Sequence, residues 1–261
     1  MTLLTPGVMR VAYRTSLTIL AAAALLAGCG TKDAMDPLIP GPQGRVRFVS
    51  LITDTTRGRV NAILEAVPFG VNLTYGGTTP SSLPAPANAI YSPVLTGGRT
   101  LVLKRTADTT ATVATIPFTV ATSADYTIYA TGGSGATAIA PFITTDTNSA
   151  PALGQVRVRV VHLAPSAGNV DVFVTAVGAD LAAATPTLAN VPVRASAYLS
   201  VPAGTYQVRV VPAGTAPASR SANVAINLAS VALPANGART IIAADNNVGG
   251  APFRFIALVD R

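Results

Sequence analysis

One cysteine, one histidine and no tryptophan occur in 261 residues, and charged side chains make up only 11% of the chain. Each scarcity removes a class of function. A zinc site takes about three or four ligands from Cys, His, Asp and Glu; a lone His162 among scattered carboxylates does not supply them, so no metal ion is expected. A single thiol closes no internal disulfide. The longest apolar run, Leu17 to Ala27, is interrupted only by Thr18. It falls well short of the roughly 20 residues of a membrane-spanning helix. Acidic residues are few, and the formal charge is +7. The arginines nevertheless stand singly, as at Arg99, Arg194, Arg209, Arg220 and Arg239. Without a basic run interleaved with aromatics they read as outward positions on strands, and nucleic acid is not an expected partner. The nearest pair of acids for general acid–base work, Asp54 and Glu65, reads as loop residues. The glycine-rich stretch at 130–138 lacks the Lys-Ser/Thr of a phosphate loop and reads as a turn. No cofactor is expected.

What is present at the N-terminus is ordered. Arg10 and Arg14 precede the apolar run, no acid occurs before Asp33, and small residues lead up to Cys29. This is the layout of a secretory signal peptide. Leu26-Ala27-Gly28-Cys29 resembles the lipobox of bacterial lipoproteins. The resemblance implies a signal at 1–28, cleavage before Cys29, and acyl chains on that residue. The alternative is a plain export signal that happens to contain cysteine. One acyl chain binds a bilayer only marginally, whereas several hold durably. Residues 29–43, polar and proline-bearing, read as the lipidated end and a tether. Gly30 stands where an Asp commonly marks inner-membrane retention in lipoproteins, so the resemblance points to the outer membrane.

Beyond the tether the sequence repeats. "VRFVSL" at 46–51 matches "VRVVHL" at 158–163, and "VNLTY" at 71–75 aligns with "VDVFV" at 170–174. "TGGRTLVLK" at 96–104 aligns with "PAGTYQVRV" at 202–210, "DYTIYA" at 125–130 with "RTIIAA" at 239–244, and "APFIT" at 140–144 with "APFRF" at 251–255. Two units are predicted, 44–148 and 154–261, joined by a linker at 149–153. Within them alternation dominates. In "QVRVRVVHL", Val156, Val158 and Val160 share one face, and Arg157 and Arg159 share the other. Short alternating runs, frequent Gly/Pro turns and about 100 residues per unit predict an all-β fold of two tandem β-sandwiches, immunoglobulin-like in layering, with a small barrel as the alternative. The nearest approaches to a helical pattern are 60–67 and 179–185.

The second unit resembles the DUF4397 family of exported bacterial proteins, through "VRVVHLAPSAGNVDVFV" at 158–174, "LSVPAGTYQVRVV" at 199–211 and "ARTIIAAD" at 238–245. The first unit resembles it more distantly. The resemblance implies a sandwich-like fold and an envelope location, and it carries no activity.

His162 is the residue to test for chemistry. If the strand ending at His162 and the strand at 170–174 form a hairpin, pairing His162 with Val170 keeps the valines on one face and sends Asp171 outward, near Arg159. A one-residue slip sets His162 opposite Asp171, with Ser166 nearby, in imitation of a Ser-His-Asp hydrolase. That slip also turns the arginines onto the valine face, and each misplaced apolar side chain forfeits up to about 1.5 kcal/mol. His162 is therefore read as a strand-end core or turn residue. The expected function is a lipid-anchored, non-catalytic envelope protein that binds a glycan or protein partner, adheres, or serves as a structural spacer. The alternative is an envelope hydrolase using His162.

Overall fold

The structure is a computed structural model. It describes residues 41–53, 59–79, 91–133 and 138–260. Cys29, the segment 1–40 and Asp54 lie outside the described residues.

The first eight strands are β1 (Gln43–Ile52), β2 (Val60–Leu64), β3 (Val67–Leu73), β4 (Ser92–Leu95), β5 (Gly97–Arg105), β6 (Thr112–Val120), β7 (Asp125–Gly132) and β8 (Ile139–Asp146). The second eight are β9 (Gln155–Leu163), β10 (Val170–Thr175), β11 (Leu188–Val191), β12 (Ala195–Pro202), β13 (Gly204–Pro212), β14 (Ile226–Leu233), β15 (Ala238–Ala244) and β16 (Arg254–Val259). They form four sheets of four strands, ordered 4-1-7-8 and 3-2-5-6, then 12-9-15-16 and 11-10-13-14. The second pair of orders repeats the first with every strand number raised by eight, so the chain is two β-sandwiches of one topology. In each, the first and seventh strands lie parallel and the other pairings are antiparallel.

Alternation builds each core. From β9, Val156, Val158 and Val160 enter it; Val170 and Val172 of β10 and Val208 and Val210 of β13 meet them from the opposing sheet. The first sandwich does the same with Val46, Phe48, Ala62, Leu101, Leu103 and Ile116.

Several expectations are corrected. β9 and β10 do not form a hairpin. β9 has both edges filled, by β12 and by β15, and β10 lies in the other sheet between β11 and β13. The valines of both strands still share one core, because the two sheets face each other. His162 pairs with Ala195 and Ala243, not with Val170 or Asp171. Residues 60–67 form β2 and a tight turn in which Glu65 and Ala66 have φ of 48° and 67°, and 179–185 is turn, so neither is helical.

Four of the five repeat alignments also shift; β5 and β13 align with Gly97 on Gly204 and Lys104 on Val211, one residue away from the alignment read in the sequence. By topology the partner of β10 is β2, not residues 71–75, which places Asn61 at the site of Asp171. β7 and β15 align with Thr127 on Thr240, one residue away from the alignment read in the sequence. β8 and β16 align with Asp146 on Asp260 rather than through the two "APF" strings, because Asp146 sits opposite Asp125 and the Asp260 amide donates to Ala238.

The larger correction concerns the second face of the β1 and β9 sheets. Arg159 was expected in solvent, and it is fully buried, as is Arg47. The face opposite the core is not free. Val49, Leu51 and Tyr129 of the first sandwich pack on Val161, Leu163, Ile242, Ala244 and Leu258 of the second. Burying such side chains contributes about 1.5–3 kcal/mol each, so two amphipathic sheets become doubly buried and the described body is a four-layer stack. Arg209 is buried as well, donating to the Thr175 hydroxyl and the Ala179 carbonyl.

Candidate functional site

Two features lie between the sandwiches, a buried layer of charge and a cleft beside it. The charged layer is built twice from equivalent residues. Arg47 on β1 donates from Nε to the Thr127 hydroxyl on β7 at 2.8 Å, and Arg159 on β9 donates from Nε to the Thr240 hydroxyl on β15 at 2.9 Å. Thr127 in turn donates to Asp146, and Thr240 to Asp260 at 2.7 Å. The arginines then cross over. Arg47 pairs with Asp260 at 2.6 Å and Arg159 pairs with Asp146, each ion pair joining one sandwich to the other. Tyr91 lies 4.4 Å from the Arg47 guanidinium, ring centre to carbon, and Tyr198 lies 5.7 Å from that of Arg159. The Tyr91 hydroxyl also donates to Asp146 at 2.6 Å.

Two positive and two negative charges thus balance inside a buried interface. Burial alone works to lower the affinity of both guanidinium groups for their protons. For Arg47 this is overcome by the Asp260 carboxylate and for Arg159 by the Asp146 carboxylate, so both are held charged more firmly than in water. Burial pushes the Tyr91 phenol up, and it stays protonated as a donor. This arrangement joins and aligns sheets. Alternation alone hid it, since polar-opposite-apolar normally means solvent; the signal available was Val161 and Leu163 following Arg159 on the same face.

His162 is buried at the end of β9, and its Nε2 lies 2.7 Å from the Gly168 carbonyl, so that nitrogen carries the proton and donates. Its Nδ1 is buried without a hydrogen-bond partner. Burial holds the imidazole below its ordinary pKa, against the opposing pull of the Gly168 bond and of Asp245, which keeps it neutral. Asp171 lies in the other sheet. Its Oδ1 accepts the Asn190 amide at 2.7 Å, where Asn190 adopts φ of 50° on β11. The first sandwich repeats this device with Asn61, whose Oδ1 accepts the Asn72 amide at 2.8 Å, where φ is 57°. In both places an inner-strand oxygen satisfies the amide of a left-handed residue on the edge strand. Glu65 accepts the Thr100 amide at 2.7 Å. His162, Asp171 and Glu65 are not brought together, and each holds a backbone group, whereas Ser166 donates to Asp245. Among the described residues no group of three or more His, Cys, Asp or Glu is placed to hold a metal ion.

The cleft has a volume of about 400 Å³ and opens where the parallel pairs β1–β7 and β9–β15 end. Leu51, Thr53, Tyr75, Thr131 and Gly132 contribute from the first sandwich, and Leu163, Ser166, Asp245 and Gly250 from the second. The Tyr75 hydroxyl donates across the cleft to the Asp245 carbonyl.

The family model described as "Domain of unknown function (DUF4397)" matches residues 44–173. Residues 44–173 belong to this family. The DUF4397 match covers the first sandwich from the second residue of β1 onward, together with β9 and most of β10, and it includes Arg47, Thr127, Asp146 and Arg159. Thr240 and Asp260 lie beyond it, in the second sandwich, whose strand orders repeat those of the first. No curated protein matches the chain.

Proposed function

We propose that this DUF4397 protein is exported and lipid-anchored to the cell envelope, and that its paired sandwiches act there as one stiff, non-catalytic body for binding, adhesion or support. The observation that favours the reading is the use of its polar residues. His162, Asp171 and Glu65 hold turns and edge strands, and the buried arginines and aspartates tie the two sandwiches to each other. The anchor rests on the lipobox-like Leu26-Ala27-Gly28-Cys29 behind a basic, apolar leader. Gly30 favours the outer membrane. Among the described residues no helix is long and apolar enough to cross a membrane. The partner class is a glycan or an envelope protein, and nucleic acid is excluded from the proposal.

Labelled palmitate fed to cells expressing the wild type or Cys29→Ala tests the anchor: label only on the wild type supports it, and equal labelling refutes it. Capture from intact envelopes, with mass spectrometry of both protein and glycan, tests the partner. Hydrolysis of an envelope substrate that vanishes in a folded His162→Gln variant would replace this reading by the hydrolase.

A further inference from the structure

Asp245 breaks the internal symmetry of the molecule. Topology sets Leu51 on Leu163 and Gly132 on Asp245, so the first sandwich has a bare glycine where the second has a carboxylate. Asp245 is 5% exposed and lines the cleft. Its side chain accepts from Ser166 twice, from the hydroxyl at 2.8 Å and from the amide at 3.4 Å. Among the described residues no Arg or Lys pairs with it. A carboxylate this buried is costly without a counter-charge, and every other carboxylate between the sandwiches has one. The same cleft is lined by Leu51 and Leu163, which are apolar, and by Thr53 and Thr131, whose hydroxyls donate to the Gly132 and Ala140 carbonyls and keep lone pairs as acceptors. The cleft volume lies in the range of small-molecule sites.

We propose that this cleft binds a small primary ammonium with an aliphatic body, the ammonium on Asp245 and the hydrocarbon against Leu51 and Leu163. The ligand supplies the missing positive charge, and its three N–H donors match the free lone pairs of the carboxylate and the threonine oxygens. Both sandwiches contribute walls, so the crossed ion pairs that fix their relative position also shape the site. The proposal refines the binding function above by naming a ligand class. Its failure leaves the anchor and a purely supporting role standing.

The probes are n-butylammonium and its neutral isostere n-butanol, titrated into the full chain carrying Cys29→Ala, with amide shifts read by NMR. Saturable shifts at Thr131, Gly132 and Gly250 are expected. n-Butylammonium should bind about tenfold or more tighter than n-butanol, the difference that one charge-assisted hydrogen bond supplies. Asp245→Asn keeps an acceptor for Ser166 and should bring the two affinities together. Equal affinity of the two probes for the wild type overturns the proposal without need of any variant. So do shifts confined to other acidic residues, and so does a preference that survives Asp245→Asn.

Discussion

Removing one charge from the buried quartet should cost far more than removing a whole ion pair. Arg47 and Asp260 meet at 2.6 Å with side chains 0% and 4% exposed. At an effective dielectric near 20, two unit charges at that distance attract by about 6 kcal/mol before desolvation is subtracted. Desolvation takes back several kcal/mol per ion, so the intact pair is close to neutral against packed hydrocarbon, whereas a stranded buried charge costs about 3–5 kcal/mol. Asp260→Leu leaves Arg47 with Asp146 at 4.0 Å as its remaining carboxylate, which sets the expected loss near the lower figure, about 3 kcal/mol. Arg47→Met strands Asp260 and should cost as much. The double variant should lose clearly less than the two singles together, with a coupling of about 2 kcal/mol or more. Urea unfolding followed by far-UV circular dichroism measures all four proteins and needs no tryptophan. Single losses of about 1 kcal/mol or less, the range of exposed pairs, or strict additivity would refute the buried-quartet reasoning.

Because His162 is held below its ordinary pKa, the unfolded chain binds a proton more readily than the folded one as pH falls from about 6.5. Stability should therefore be level above that pH and decline below it, by at most about 1.4 kcal/mol per pH unit from this group; urea midpoints between pH 7.5 and 5 should show the slope in the wild type and a shallower one in His162→Gln. Asp171→Ala should cost about 1–2 kcal/mol by leaving the Asn190 amide without its acceptor, and a thermal scan reads it. Asn190→Val should cost about 1–2 kcal/mol because φ of 50° suits asparagine and not a β-branched residue, while Asn190→Gly should be tolerated. Gly44→Ala should destabilise by about 2 kcal/mol or more, since a Cβ there would stand 2.6 Å from the Ala121 carbonyl oxygen, and reduced yield with a lower unfolding midpoint is the check.

The sandwich fold was legible because strand alternation is a local signal. The valines of β9, β10 and β13 could be assigned to a core without knowing which strand pairs with which. Pairing itself is non-local. The short segment between His162 and Val170 suggested a hairpin, yet β15, some eighty residues away, takes the edge of β9 that a hairpin would need. The repeat was visible in "VRFVSL" and "VRVVHL", where no gap intervenes. Elsewhere small differences in turn length moved the alignment, by one residue at Thr127 and Thr240, enough to hide that they are equivalent. The arginines were misplaced because a polar face facing solvent and a polar face facing a matching polar face have the same period. The cleft had no sequence signal, since its walls come from both sandwiches and Asp245 follows a strand like any loop aspartate.

The reciprocal exchange of partners between the two arginines bears on what a single cut in the connector would do. After proteolysis between Asp146 and Gln155, each fragment would still hold one end of two opposite bonds. Neither fragment could leave without carrying a bare cation and a bare anion into water together with a greasy sheet. A nicked molecule should accordingly migrate as one particle in native buffer and as two bands only in detergent, so that severing the polypeptide leaves the assembly whole.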